Sequence, residues 1–300
     1  DADDPRLSDF RDLSAADKRP DLARGVVLAE GVPVVERMLA SRFVPHAIMG
    51  VESKLARLEG LAPDVPRYLV TADLMARVVG FHLNRGVLAA ARRPAPLEAG
   101  ELLDGARTVV VLEGVNDHEN LGSIFRNGAG LSADAVLFGP RCSDPLYRRA
   151  VRVSMGHVLL VPFAHLPASG WPAEGLGVLA EHGFRTVALT PSGEATVAEA
   201  VAGGPSRVAY LVGAEGPGLT PETMAAADVR ARIAVLAQIP DRWSQLVDKV
   251  WRETDVPDDL TGYFLLQNIV GVWPTEDPVT DELRGRLIEY ARKATREAGL

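Results

Sequence analysis

Apolar and polar positions change period several times along this chain, and each change marks an element. Residues 1–24 are rich in charge and poor in large apolar side chains, the pattern of a leader that frays or docks loosely. Between Arg24 and Pro94 short apolar runs alternate with helical spacing. "VVERMLAS" repeats its apolar positions every three to four residues, as an amphipathic helix does, whereas "VPHAIMGV", "RYLV" and "GVLAAARR" are short strand-like runs. This predicts a small α/β domain over residues 25–94. The stretch "RRPAPLEAG", with two prolines and a glycine, breaks the pattern, and a linker is expected over residues 95–105.

A second series follows over residues 106–235. "RTVVVLEG" (107–114) is a near-continuous apolar run of the kind buried on both faces. "AVLFG" (135–139), "VLLVPF" (158–163), "FRTVAL" (184–189) and "RVAYLVG" (207–213) read as further strands, with helical or loop segments between them. Such alternation predicts a parallel sheet covered by helices on both faces. Ligands of such sheets sit beyond the carboxyl ends of the strands, which singles out the loops 114–122 and 213–220. From residue 236 to 300 the period is helical throughout, in "DRWSQLVDKVWRE", "DDLTGYFLLQNIVGVW" and "VTDELRGRLIEYARKATREAG", broken by prolines 257, 274 and 278.

Composition narrows the setting. No apolar run approaches the roughly 18 residues of a membrane span, and no signal peptide is visible, although the chain opens at Asp1 as a processed, trimmed or partial chain would. Cys142 is the only cysteine, which suits a reducing, cytoplasmic setting. The six histidines show no spacing that would hold a metal, so no metal site is expected. A net charge of −8 argues against coating nucleic acid by bulk charge, while leaving room for a local basic face.

Three stretches carry candidate chemistry. In "NDHENLGSIFRNGAGLSADAVLF" (116–138), Asn120 and Arg126 stand around a glycine where a strand gives way to a helix. Asn120 is either the cap of a helix beginning near Leu121 or an amide aimed at a ligand. Arg126, among Ile124, Phe125, Ala129 and Leu131, is expected to reach back towards the strand ends. In "LVGAEGPGLT" (211–220), glycines surround Glu215 directly after a strand; this is either a simple strand-to-helix turn or a backbone cradle. In "YRRAVRVSMGHV", Arg148, Arg149 and Arg152 form either a solvated basic helix or a phosphate-facing patch.

These three stretches, in this order and spacing, resemble the SpoU (TrmH-like) family of RNA ribose 2′-O-methyltransferases, members of the SPOUT class with a deep trefoil knot. "LAEGVPVVERMLAS" and "VVGFHLNRGVLAAARRP" similarly resemble the small L30e-like substrate-binding domain that precedes the knot in many members. The resemblance runs from about residue 25 to 233. It implies S-adenosylmethionine as cofactor, rRNA or tRNA as partner, and a homodimer where the knot is intact. By position, Asn120, Arg126 and Glu215 match the family's catalytic residues. Leu211, Gly213, Gly216 and Ile233 match those at the cofactor, and Arg85, Arg148, Arg149 and Arg152 are the expected RNA contacts.

The chain departs from the family after Ile233. The usual Pro-Met pair is replaced by Ala234 and Val235, and no Ser-Leu-Asn loop follows. An incomplete knot and impaired activity are the expected consequences; the alternative is a non-catalytic RNA-binding or cofactor-binding remnant. The helices beyond about residue 240 instead resemble the C-terminal region of maltooligosyltrehalose synthases, as a fusion of two coding segments would. The paired carboxylates of glycosyl chemistry are missing here, so none of that activity is expected.

Overall fold

The computed structural model describes residues 1–14 and 20–232, and in the tail Asp248, Lys249, Gly285, Ile288, Glu289 and Arg292, each in helical conformation. Two compact units emerge, residues 1–233 and 234–300. Ile233 and the remainder of the expected helical tail lie outside the described residues.

The first sheet contains β1 (Val26–Glu30), β2 (Pro45–Gly50), β3 (Arg67–Leu69) and β4 (Val87–Arg92), in the order β1-β4-β2-β3. β4 runs antiparallel to both β1 and β2, and β3 is parallel to β2. Side chains alternate across β4: Val87, Ala89 and Ala91 face one core cluster, Leu88 and Ala90 the other. The opening residues are not a frayed leader. Pro5–Phe10 forms a 3₁₀ turn, and Leu7, Phe10 and Leu13 are buried against Val26, Leu28, Met75 and Leu88. The three-residue spacing puts Leu7 and Phe10 on one face of that turn. Burying Phe10 alone is worth about 2 kcal/mol, enough to dock a segment that its charged composition makes look loose.

The second sheet contains β5 (Thr108–Glu113), β6 (Ala135–Phe138), β7 (Phe163–His165), β8 (Arg185–Thr190), β9 (Ala195–Thr196), β10 (Val208–Gly213) and β11 (Val229–Arg232). Every pairing in it is parallel, and the order is β7-β6-β5-β10-β8-β11-β9. The strand expected at 158–163 begins only at Phe163. Gly156 in the left-handed region turns His157–Leu159 into a 3₁₀ turn, which consumes the apolar run ahead of the strand. β9 and β11 carried no hydrophobic signal, because "AT" is too short and "VRAR" alternates with arginine.

Two features of this order position the site. β5 and β10 lie side by side at the centre, while β6 and β7 extend one way and β8 the other, so their loops open at a switch point of the sheet. β8 and β9 are consecutive in the chain, yet β11 lies between them, so residues 191–194 cross β11. At Gly193 the crossing is so close that a Cβ would stand 2.3 Å from the backbone of Ala231 and Arg232.

The two sheets share one core, since Val27, Ala29 and Ala89 pack in the same cluster as Leu112, Phe125 and Phe138. Arg93 Nη2 to Asp144 Oδ2 (2.8 Å) and Arg148 Nη1 to Glu30 Oε2 (3.1 Å) tie them further.

Candidate active site at the switch point

The helix His118–Gly130 follows β5 and is capped by Asp117, whose Oδ1 accepts from the backbone N–H groups of Glu119 (2.8 Å) and Asn120 (2.9 Å). The bond from Asn120 N–H, then that from Glu119 and the nearby Arg149 charge, hold the Asp117 carboxyl below its ordinary range. Asn120 is therefore not the cap, and its side chain is free for other use. Gly122 lets the helix lie against Arg148–Val153, for a Cβ there would meet Val153 and the Ala150 carbonyl within 3 Å.

β10 ends in register with β5, Gly213 opposite Glu113. Beyond Gly213 the chain turns back on itself through a bridge between Ala214 and Gly218. A Cβ on Gly213 would stand 2.1 Å from Gly218 and Leu219, so this glycine is required by the closure of its own loop. Gly216 has φ +87° with open space around its Cα. Leu211 sits between β5 and β8 with its side chain wholly in the core, where it contributes packing rather than an open surface.

The two loops meet. Asn120 Nδ2 donates to Glu215 Oε2 at 2.6 Å across 95 positions of sequence. A cavity of about 460 Å³ opens around this contact, lined by Asp117, Asn120, Ser123, Asn127 and the backbone from Val212 to Glu215, with Val115 and Ile124 on its apolar side. Arg126 does not line it. Six residues beyond Asn120 the helix has turned, and Arg126 is exposed on its flank. There, burial first and then the charges of Arg37 and Arg126 push the His157 imidazole down. The expected sharing of one pocket thus holds for the amide and the glycine loop, with the guanidinium outside it.

Sequence reasoning missed Glu113. Its carboxylate is only 2 % exposed and accepts from Trp171 Nε1 (2.9 Å), Thr220 Oγ1 (2.9 Å), Thr223 Oγ1 (3.1 Å) and Thr220 N (3.0 Å). A charged residue ending an apolar strand was the available signal. Cys142 is half-buried, and burial raises its thiol, which makes it a poor nucleophile.

The expected RNA contacts divide. Arg85 and Arg152 line a second cavity of about 720 Å³ together with Lys54, Arg57, Phe81 and His82. Arg148 is engaged instead with Glu30 and the Leu13 carbonyl and lies 4.7 Å over the Phe81 ring. Arg149 Nε donates to Glu119 Oε1 at 3.1 Å in an exposed pair. Among the described residues no His, Cys, Asp or Glu group could hold a metal, and no helix is long and apolar enough to cross a membrane.

The model of the SpoU rRNA Methylase family matches residues 107–240. An uncharacterized tRNA/rRNA methyltransferase of Mycobacterium tuberculosis (strain ATCC 25618 / H37Rv) is 61% identical over 239 residues, 78% of this chain and 82% of the relative. A 23S rRNA (adenosine(1067)-2′-O)-methyltransferase of Streptomyces azureus is 27% identical over 153 residues, 51% of this chain and 55% of that one. Among solved structures, the SpoU methyltransferase AviRb of Streptomyces viridochromogenes in complex with the cofactor AdoMet has a TM-score of 0.64 at 17% identity, covering 77% of this chain and 89% of its own. A stretch of 79 residues is 48% identical to a putative maltooligosyl trehalose synthase of M. tuberculosis, covering 26% of this chain and a tenth of that protein. High identity over most of a relative, the matched family model and the switch-point site agree: the chain belongs to the SpoU rRNA methylase family.

Proposed function

We propose that this chain transfers a methyl group from S-adenosylmethionine to a ribose 2′-OH of rRNA or tRNA. The observation that carries the reading is the contact of Asn120 with Glu215 at the converged ends of β5 and β10. The cavity beside it fits the cofactor's chemistry: Asp117 and Glu215 offer negative charge to a sulfonium, Val115, Ile124 and Val212 offer apolar walls, and Gly213 offers backbone without a side chain; Gly216 stands beyond the lining, with open space around its Cα. Gly213 and Gly216 are the described cofactor residues in this reading, with Ile233 the next along the chain.

The cofactor supplies an electrophilic methyl group, which leaves the protein the tasks of positioning and charge stabilisation. Asn120 fixes the Glu215 carboxylate, and the pair orients the hydroxyl. Arg126, exposed at the flank of the helix, grips the phosphate next to the reacting ribose and stabilises negative charge on its oxygen; a guanidinium is not deprotonated in proteins, so it is no base. The 25–94 domain, with Arg152 contributed by the second, holds the rest of the RNA through the groove that Arg85 and Arg152 line. The knot reading is supported by the strap at Gly193, and a homodimer accompanies it.

Incubation with labelled S-adenosylmethionine and ribosomal or transfer RNA, followed by nucleoside mass spectrometry, tests this. A 2′-O-methylnucleoside formed by the parent and lost in Arg126→Ala is expected; a base-methylated product overturns it. The replaced third motif favours a second reading, a binding remnant without turnover. Calorimetry separates the two, since micromolar binding of S-adenosylmethionine fits the enzyme and silence the remnant.

A further inference from the structure

We propose that Glu113 is a positioning residue, holding the loop that carries Glu215 in register with Asn120. The inference rests on the reading of Asn120 and Glu215 as the reacting pair.

Between Gly213 and Leu219 the loop is exposed, and Glu215, Gly216 and Pro217 lie at the surface. It is tethered at its two ends. One end is the β10 ladder, with Gly213 against Glu113 of β5. The other is the Glu113 carboxylate itself. Oε2 takes the Thr220 N–H, while Oε1 takes the Trp171 indole and the hydroxyls of Thr220 and Thr223. Backbone and side chain of one residue therefore fix both feet of the Glu215 loop to the strand that leads directly into the Asn120 helix.

The surroundings are built for this contact. Trp171 is slotted between two glycines: a Cβ on Gly139 would meet its ring at 2.8 Å, and one on Gly175 at 2.4 Å. Thr220 in turn caps the helix Pro221–Ala226, its Oγ1 accepting from Thr223 N at 3.3 Å. Leu219, buried between these anchors, leaves the loop little freedom to slide. A buried carboxylate is a poor way to gain stability, because an apolar side chain of similar size avoids its desolvation. What the carboxylate adds is direction, since donors from two separate segments converge on one group.

The decisive variant is Glu113→Gln. Its amide nitrogen must face an N–H of Thr220 or Trp171, donor against donor, so the loop foot moves while the side-chain volume stays. A displacement of about 1 Å at a reacting group costs on the order of 10²-fold in rate. The expected result is a fall in kcat of that size with KM for RNA unchanged, and partial rescue by Glu113→Asp, which keeps the acceptor. In a Glu215→Gln background the same change should cost less than about threefold, because the positioned group is already gone; costs that simply multiply overturn the inference.

Hydrogen exchange gives a readout that needs no turnover. The amides of 214–220 should exchange at least tenfold faster in Glu113→Gln, with those of β1 to β4 unmoved; unchanged exchange at the loop overturns the proposal. Thr223→Val, which deletes one donor and little volume, should reproduce a weaker form of the same exchange change if Glu113→Gln does not fold. Loss of activity in Glu113→Gln alone, with Glu215→Gln fully active, overturns the functional reading of Glu215 rather than the tether. A parent without methyl transfer on any RNA, but with the exchange effect present, leaves the tether standing and removes the function.

Discussion

Two glycines of one loop are predicted to fail in different ways, and the difference separates folding from cofactor binding. An alanine at 213 places its Cβ 2.1 Å from the backbone of Gly218 and Leu219, whereas ordinary contact begins at about 3.4 Å. Neither neighbour is a flexible side-chain end, so the loop must retreat by roughly an ångström. Overpacking of this kind costs about 3 kcal/mol at the upper end of its range. For a unit of this size that is a loss of roughly 6–12 °C in Tm. An alanine at 216 meets no atom and carries only the left-handed backbone penalty, about 1 kcal/mol or roughly 2–4 °C. Differential scanning calorimetry measures the first quantity and titration with S-adenosylmethionine the second. Gly213→Ala should lose stability and binding together. Gly216→Ala should stay folded and, on the proposed reading of Gly216 as a cofactor contact, lose at least tenfold in affinity. Equal thermal stability of Gly213→Ala and the parent would refute the closure argument, and unchanged affinity in Gly216→Ala would place the cofactor elsewhere.

Further outcomes follow from the same geometry. Arg126→Ala should abolish methyl transfer while sparing cofactor affinity, and it should raise the titration of His157, followed by NMR, since one of the charges pushing that imidazole down is gone. Arg85→Ala and Arg152→Ala should each weaken RNA binding across sequences and reduce the salt slope by about one counterion, in filter-binding isotherms between low and moderate salt. Arg148→Ala should instead lower Tm, because it unpairs the buried Glu30. Asp117→Asn keeps a capping oxygen and removes the charge. Because the Asp117 carboxyl is held low in the folded state, its contribution is complete above the ordinary carboxylate value near about 4 and fades as pH falls through the lower folded value. The Tm gap between parent and Asp117→Asn should be level from neutral pH to about 4 and close below it.

What the letters disclose, and what they conceal, follows from the range of the interactions. β5 and β10 were legible because strands buried on both faces write long apolar runs, and the two site loops follow from the rule that ligands meet the carboxyl ends of strands. The Asn120–Glu215 contact was foreseen only as a convergence of loops, since 95 residues separate its partners. Whether Asn120 caps the helix stayed open in the letters because Asn and Asp both cap well, and only the hydrogen bonds give that role to Asp117. Arg126 was drawn into the pocket by its apolar neighbours, although of these only Phe125 is fully buried, Leu131 is itself exposed, and Arg126 lies on the flank. Glu113 escaped notice for a related reason: its donors come from residues 171, 220 and 223, and no local pattern announces them. β11 was invisible because its burial comes from the strap of 191–194 and from β8 and β9, not from its own composition.

That distribution of contacts bears on the replaced third motif. The proposed reacting pair and its tether are made of residues 113 to 223: Glu113, Asp117, Asn120, Trp171, Glu215, Thr220 and Thr223. None of these bonds draws on the chain from Ile233 onward. β11 too is already seated between β8 and β9 by Arg232. The Asn120–Glu215 geometry is therefore complete within the described residues, and on the proposed reading a replaced third motif would bear on cofactor binding rather than on that pair. The two defects have different kinetic signatures. A weakened cofactor wall raises KM for S-adenosylmethionine and is overcome at high concentration, while a disturbed pair lowers kcat at saturation. If this chain is slow, saturating cofactor should restore it towards the rate of a family member with the third motif present. Failure to do so would refute the separation of cofactor binding from the Asn120–Glu215 pair.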